Sequence, residues 1–236
     1  MIKYVASVSC GKDSTAMVLN LIEKNCPLDY VVFVDTGKEF DSIYSTWKKL
    51  TDIFTEHKIP FKRLKFDRSF DYYFSEHQIK ARDGSTKQGY SWCGGLCRWG
   101  TTFKNQVLRN FYKNTFENCT IVEYVGIAKD ELNRIRFDRS TTVKVYPLVL
   151  WNMTENDALV YCLKRGFSYT EKNDVNLYDV LDRGSCYCCA NKNLKELEAI
   201  YRYLPEYWQR LKQMQSKTDK LFKNIGLEAL ELRFKH

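Results

Sequence analysis

Residues Ser7-Val8-Ser9-Cys10-Gly11-Lys12-Asp13-Ser14-Thr15 lie between the apolar run Ile2–Ala6 and a helix-like stretch, Thr15–Lys24. A turn placed there can hold a phosphate. Gly11 lets the backbone approach an anion with no Cβ in the way, and Ser9 and Ser14 supply hydroxyls. The first turn of the helix adds unpaired N–H groups and a positive dipole end. The expected ligand is an adenine nucleotide. The spacing matches neither the Gly-x-Gly-x-x-Gly of dinucleotide folds nor the Gly-x-x-x-x-Gly-Lys-Ser/Thr of kinase-type loops, so a different phosphate loop is implied.

Two further segments carry similar chemistry. Asp35-Thr36-Gly37-Lys38-Glu39 ends a second apolar run. Asp35 could hold a ribose hydroxyl or magnesium, and Gly37 permits a tight turn, although a plain strand-to-helix turn uses the same residue types. Gly126-Ile127-Ala128-Lys129-Asp130-Glu131-Leu132-Asn133-Arg134 follows a third run. There Asp130 and Glu131 suit a metal while Arg134 and Arg136 suit phosphate, and acids at a helix start would read the same way. The cysteines form a further group. Cys93-Gly94-Gly95-Leu96-Cys97 and Cys186-Tyr187-Cys188-Cys189 can bring four thiolates, Cys93, Cys97, Cys186 and Cys189, to one centre. Either a [4Fe–4S] cluster or zinc takes such a set, with Cys188 as an extra thiol. Cys10, Cys26, Cys119 and Cys162 read as packing residues.

The elements that must position these groups are visible as β-rich runs at Ile2–Val8, Tyr30–Val34 and Thr120–Val125, with Phe61–Phe66 as a further strand. Amphipathic stretches alternate with them. One carries Met17, Leu19, Leu21 and Ile22, and the next, Ser42–Phe54, carries Ile43, Trp47, Leu50 and Ile53. Strand–helix alternation predicts an α/β fold with a parallel sheet. In such a sheet the ligand crevice lies at the carboxyl ends of the strands, where all three motifs begin. Val143–Leu148 reads as a late strand. Thr154-Glu155-Asn156-Asp157 resembles a capping box opening a helix to about Arg165, and Leu194–Leu232 reads as helical with an interruption at Pro205. Residues 67–100 form an aromatic, glycine-containing insertion.

The chain has 236 residues, 44% of them hydrophobic, which is enough to bury a core without disulfides. The expected organisation is residues 1–190 as the nucleotide-binding domain with the insertion inside it, and 191–236 as a helical extension packed on the same unit. With 37 basic and 29 acidic residues the net charge is +8, spread along the chain, which favours an anionic partner but also fits a solvated surface. Tyr90, Trp92 and Trp99 flank the first cysteine pair and could stack a base, making nucleic acid a candidate partner, although packing around a metal site or in a core is the more frequent role of such rings. No apolar run reaches membrane-span length, and the opening residues lack the apolar core of a secretory signal, so the expectation is a cytoplasmic protein with reduced thiols.

The three motifs together resemble the phosphoadenosine phosphosulfate reductase-like family within the PP-loop ATP pyrophosphatases. The likeness rests on Ser9–Ser14, on Val34-Asp35-Thr36-Gly37, and on Gly126 with Asp130, Glu131 and Arg134. It continues through Tyr146-Pro147-Leu148, Trp151 and Asp157 to Ser185–Cys189. It implies a three-layer α/β fold, a mostly parallel five-stranded sheet with helices on both faces, plus the cysteine-rich region and a helical C-terminus. It also implies ATP or a sulfonucleotide bound by Ser7, Ser9, Gly11, Lys12, Asp13, Ser14, Asp35, Thr36, Gly37, Gly126 and Glu131, with magnesium present. Lys12, Asp13, Asp130 and Arg134 would serve catalysis. In ATP-using relatives a substrate oxygen attacks the α-phosphate and pyrophosphate leaves. Family members with clusters lean the cysteine set toward iron and sulfur, with a redox or sulfur-donor protein as partner. Two departures stand out. The first cysteine pair is separated by three residues instead of adjacent, and the Glu-Cys-Gly segment that carries the reductase nucleophile does not occur after Cys189. The expected activity is therefore ATP-dependent adenylation or thiolation of a substrate. A sulfonucleotide reductase and a non-catalytic nucleotide-sensing subunit are the alternatives.

Overall fold

The computed structural model describes residues 1–80, 83–95, 97–135 and 142–235, and of Trp99 only the backbone. In chain order the strands are β1 (Ile2–Val8), β2 (Tyr30–Asp35), β3 (Phe61–Lys65), β4 (Gln78–Lys80), β5 (Thr86–Gln88), β6 (Thr120–Val125) and β7 (Thr142–Val145). The helices are α1 (Lys12–Glu23), α2 (Asp41–Glu56), α3 (Lys104–Thr115), α4 (Pro147–Leu150), α5 (Glu155–Lys164), α6 (Leu177–Val180), α7 (Leu194–Tyr203), α8 (Pro205–Gln215) and α9 (Leu227–Lys235). They divide between two compact units. One comprises Met1–Asp35, Asp41–Lys65 and Asn105–Tyr169, and the other Thr36–Phe40, Phe66–Lys104 and Thr170–His236.

The first unit is built on a parallel five-stranded sheet of order β3-β2-β1-β6-β7. Its central strand β1 pairs with β2 (Ala6 opposite Val31) and with β6 (Ala6 opposite Tyr124). Val31, Val32 and Phe33 of β2 are fully buried, as a strand covered on both faces requires. The chain runs outward from β1 to β3, then returns across the sheet to β6. Right-handed crossovers then carry α1 and α2 to one face and α3 to the other. Helix α2 buries Ile43, Trp47, Leu50 and Phe54, and this apolar stripe passes over Phe54 where the sequence pattern favoured Ile53. The reversal of direction falls between β1 and β6, so the loops leaving these neighbouring strands open the crevice that such sheets use for ligands.

Two expected elements change. Val143–Leu148 is not one strand. Pairing stops at Val145, and Pro147, which has no N–H for a ladder, takes the first turn of α4, where its fixed φ is preorganised. Pro205 likewise opens α8 instead of merely interrupting a helix, and α9 begins only at Leu227 after a connection that holds one short 3-10 turn, Phe222–Asn224. Among the described residues no helix is long and apolar enough to cross a membrane.

The second unit has little regular sheet, only the β4–β5 hairpin. Aromatic contact replaces it. Trp92 packs edge-on against Phe74 and Phe222, at 4.8 and 4.7 Å between ring centres, and Phe40 against Tyr207 at 4.7 Å. Trp92 is 3% exposed, so it belongs to this core and does not offer a face for base stacking. The side chain of Trp99 lies outside the described atoms, and Tyr90 is half-buried under the Arg98 guanidinium.

Candidate functional site

In the first unit the Ser9–Ser14 run is a turn that closes on itself. Cys10 takes a left-handed φ of 61°, which tightens the exit from β1. The Ser9 N–H donates to Ser14 Oγ at 3.1 Å, and Ser14 Oγ donates to the Gly11 carbonyl at 3.2 Å. Gly11 occupies the helix cap position and offers no side chain to the first turn of α1, whose N–H groups therefore have no side-chain cap. Ser7 lies on β1 between Val32 and Val125. Gly126 passes directly over this turn. A Cβ there would stand 2.7 Å from Ser14 Cα and 2.8 Å from Ser14 N, so only glycine allows the loop after β6 to touch the start of α1.

Three carboxylates converge at the same place. Oxygens of Asp13, Glu131 and Glu155 lie within 4.8 Å of one another, and among the described residues this is the one such group of potential metal ligands. The Lys12 ammonium, almost fully buried, lies 3.2 Å from Asp13 and 2.5 Å from Glu155. Arg134 is hydrogen-bonded to Glu131. Burial raises the Asp13 carboxyl from 3.8 to about 6 against the pull of Lys12, and Glu155 and Glu131 push it further. A divalent cation would relieve that repulsion, and an all-carboxylate set suits a hard ion such as magnesium.

Glu155 is the member that sequence reading missed. It was legible only as the residue after the capping residue Thr154. The Thr154–Asp157 capping box does form, and Asp130 accepts the Glu155 N–H at 3.0 Å, so both fix the start of α5 and aim its first acid at Asp13. Asp130 thus holds the frame, while Glu131 joins the acid group. Arg136 lies outside the described residues. Asp35, at the end of β2, is not one of these three acids: its carboxylate, 4% exposed, binds Arg63 at 2.7 Å and accepts from Tyr44 at 2.9 Å.

The rest of the second motif belongs to the other unit. Gly37 has a φ of +79°, and Thr36 Oγ1 donates to Glu39 Oε1 at 3.0 Å while lying 3.5 Å from Cys186 Sγ. Cys186 is half-buried, and desolvation followed by the Glu39 charge pushes its thiol up to about 12. Cys188 is also raised, by burial and then by Cys186. Across from this turn, Gly95 in the middle of the Cys93–Cys97 loop exchanges two hydrogen bonds with the Asn191 side chain, both 2.9 Å. The two cysteine segments therefore meet. Cys93 and Cys97 are partly exposed, and Cys97 Sγ accepts from Gly100 N at 3.3 Å, opening a wide helical turn. Among the described residues no three thiols lie within 4.8 Å of one another. Of the cysteines read as packing residues, Cys10 and Cys162 are buried, whereas Cys26 and Cys119 are partly exposed.

A family model described as phosphoadenosine phosphosulfate reductase domain matches residues 3–180. An uncharacterized protein of Methanocaldococcus jannaschii is 28% identical over 214 residues, which is 87% of this chain and 40% of that protein. The chain thus spans well under half the length of this relative. Among solved structures, the U34-tRNA thiolase NcsA from Methanococcus maripaludis with its [4Fe-4S] cluster aligns over 100% of this chain and 73% of its own, at 16% identity and a TM-score of 0.48.

Proposed function

The chain belongs to the phosphoadenosine phosphosulfate reductase domain family, and from that premise we propose that it cleaves ATP between the α- and β-phosphates and passes the adenylyl group to a substrate for sulfur transfer. The observation that carries this reading is the convergence of Lys12, Asp13, Glu131 and Glu155 at the start of α1. A substrate oxygen attacks the α-phosphorus, the bond to the bridging oxygen breaks, and pyrophosphate leaves with the electron pair. The N–H groups of α1 and the Lys12 ammonium bind the departing phosphates and offset the charge they gain. Gly126 lets the loop after β6 close on that turn, and Arg134 keeps Glu131 in place.

Asp13, Glu131 and Glu155 would hold magnesium, which when bound supplies further positive charge at the phosphates. Cys93, Cys97, Cys186 and Cys189 would hold a [4Fe–4S] cluster, with zinc as the alternative. The net charge of +8 favours a nucleic acid as the adenylyl acceptor.

The test incubates anaerobically prepared protein with ATP labelled at the α-phosphate, magnesium and total tRNA, and follows AMP and pyrophosphate. Pyrophosphate release is expected, and Lys12→Met should slow it about 10²- to 10³-fold, the usual cost of removing one donor to developing charge. Sulfite formation from a sulfonucleotide with thioredoxin, without pyrophosphate release from ATP, would overturn the reading in favour of a reductase.

A further inference from the structure

We propose that Asn191 and Glu39 are positioning residues of the cysteine site: Asn191 clasps the Cys93–Cys97 loop to the Cys186–Cys189 turn, and Glu39, with Thr36, fixes the Cys186 side chain. The proposal rests on the reading of these cysteines as one metal-binding set.

The clasp has the geometry of a short strand pairing. Gly95 N–H donates to Asn191 Oδ1 and Asn191 Nδ2 donates to the Gly95 carbonyl, both at 2.9 Å, so one side-chain amide reads one peptide group at both ends. Gly95 is two residues from Cys93 and two from Cys97, while Asn191 is two residues past Cys189. Two residues of extended chain reach about 7 Å, so each cysteine next to the clasp stays within that distance of it. Among the described residues these are the only hydrogen bonds between the two segments. The loop can meet the clasp because Gly95 adopts a φ of +68°, which a side chain would strain.

At Cys186 the support is an ion pair whose carboxylate is buried. Glu39, 4% exposed, takes the Lys104 ammonium at 3.1 Å and the Thr36 hydroxyl at 3.0 Å on the same oxygen, Oε1. Cys186 Sγ lies 3.7 Å from that oxygen and 3.5 Å from Thr36 Oγ1. A buried carboxylate is costly unless its partners are fixed, and here the fixed partners also define where the sulfur sits. Neither Glu39 nor Asn191 need touch a metal to do this.

The experiment loads the full chain anaerobically with ferrous iron and sulfide and, separately, titrates it with zinc alone. Iron and sulfide per chain, the absorption and paramagnetic-resonance spectra, and the zinc affinity are measured. Asn191→Leu, Thr36→Val and Glu39→Gln should each weaken metal retention about 10- to 100-fold, the usual effect of removing an outer partner of a metal site. Thr36→Ser should restore the wild-type spectrum, which a merely structural role would not require. If Asn191→Leu does not fold, Asn191→Asp keeps its size and acceptor oxygen while losing the donor to Gly95, and the same weakening is expected. Folded Asn191 and Thr36 variants that load like the wild type, with unchanged spectra, would overturn the proposal. A wild-type chain that retains neither iron nor zinc would overturn it together with the thiolate site. Adenylyl transfer is decided separately by the pyrophosphate assay.

Discussion

The two candidate sites are held in different ways. At the phosphate loop, regular elements do the positioning: β1 and β6 end side by side, α1 starts at Gly11, and a capping box starts α5 at Glu155. At the cysteine site, side chains do it. An amide clasp, the Glu39–Lys104 pair and a set of edge-to-face rings replace a backbone ladder. A site on strand and helix ends inherits its geometry from the whole sheet, whereas a loop site depends on each contact separately, so single substitutions should act more locally and more severely there.

Trp92→Ala gives the largest expected effect. The ring is nearly fully buried, its indole N–H donates to Gln215 at 3.1 Å, and Lys220 donates to its carbonyl at 2.7 Å. Removing a buried tryptophan costs about 3–5 kcal/mol. Trp47, 7% exposed and packed on Phe33 at 5.2 Å, is the matching ring in the sheet unit. Denaturant unfolding with limited proteolysis should show Trp92→Ala opening residues 66–104 to cleavage, while Trp47→Ala lowers stability without selective cutting there. Equal cutting patterns would break the comparison.

The same contrast explains what was legible in the sequence. The sheet, its order of helices and the phosphate loop could be read because apolar runs, glycines and caps are local signals. The acid group could be read only in part: Asp13 and Glu131 stood in recognisable motifs, but Glu155 joins them from α5, and nothing local marks a first-turn acid as anything but a helix-dipole partner. In the cysteine unit, spacing revealed the thiols but not their support. Asn191, Glu39 and Lys104 are ordinary polar residues until the fold brings them to Gly95 and Cys186. Thr36 was read with the nucleotide because it adjoins Asp35, yet its hydroxyl bonds Glu39. For Trp92 the sequence leaves stacking and core packing both open, because exposure is not written in residue type, and its burial decides for the core.

A second test probes the acid group of the sheet unit through pH. Asp13 titrates at about 6 in the folded chain against 3.8, so the folded state binds its proton more tightly than the unfolded state. The stability this gives is present below about pH 4 and is lost as pH rises through 6. At 1.36 kcal/mol per unit, the loss is about 3 kcal/mol at most. Asp13→Asn has no such proton to lose. Its stability relative to wild type should therefore increase by up to that amount between pH 4 and pH 7, as measured by urea midpoints, and magnesium should reduce the difference by favouring the ionised wild-type carboxyl. Parallel pH profiles would remove Asp13 from the coupled group.

The smallest effects compare the two capping boxes, one in each unit. Thr154 Oγ1 accepts from Asp157 N at 3.1 Å, on an exposed helix start. Asn193 Oδ1 accepts from Glu196 N at 2.8 Å, and Asn193 Nδ2 also donates to Asp182 at 3.0 Å. Glu196 is buried beside Lys192, a residue 2% exposed whose ammonium bonds Ser185 at 3.0 Å, next to the cysteine turn. Losing a helix cap costs about 0.5–2 kcal/mol. Thr154→Ala should fall near the lower end, because water can replace an exposed cap. Asn193→Ala should fall at the upper end, because the N–H it uncaps belongs to the buried Glu196, where water substitutes less readily. Urea midpoints of the two variants measure the difference, and a larger loss for Thr154→Ala would show that the cysteine unit depends less on individual contacts than its lack of a ladder implies.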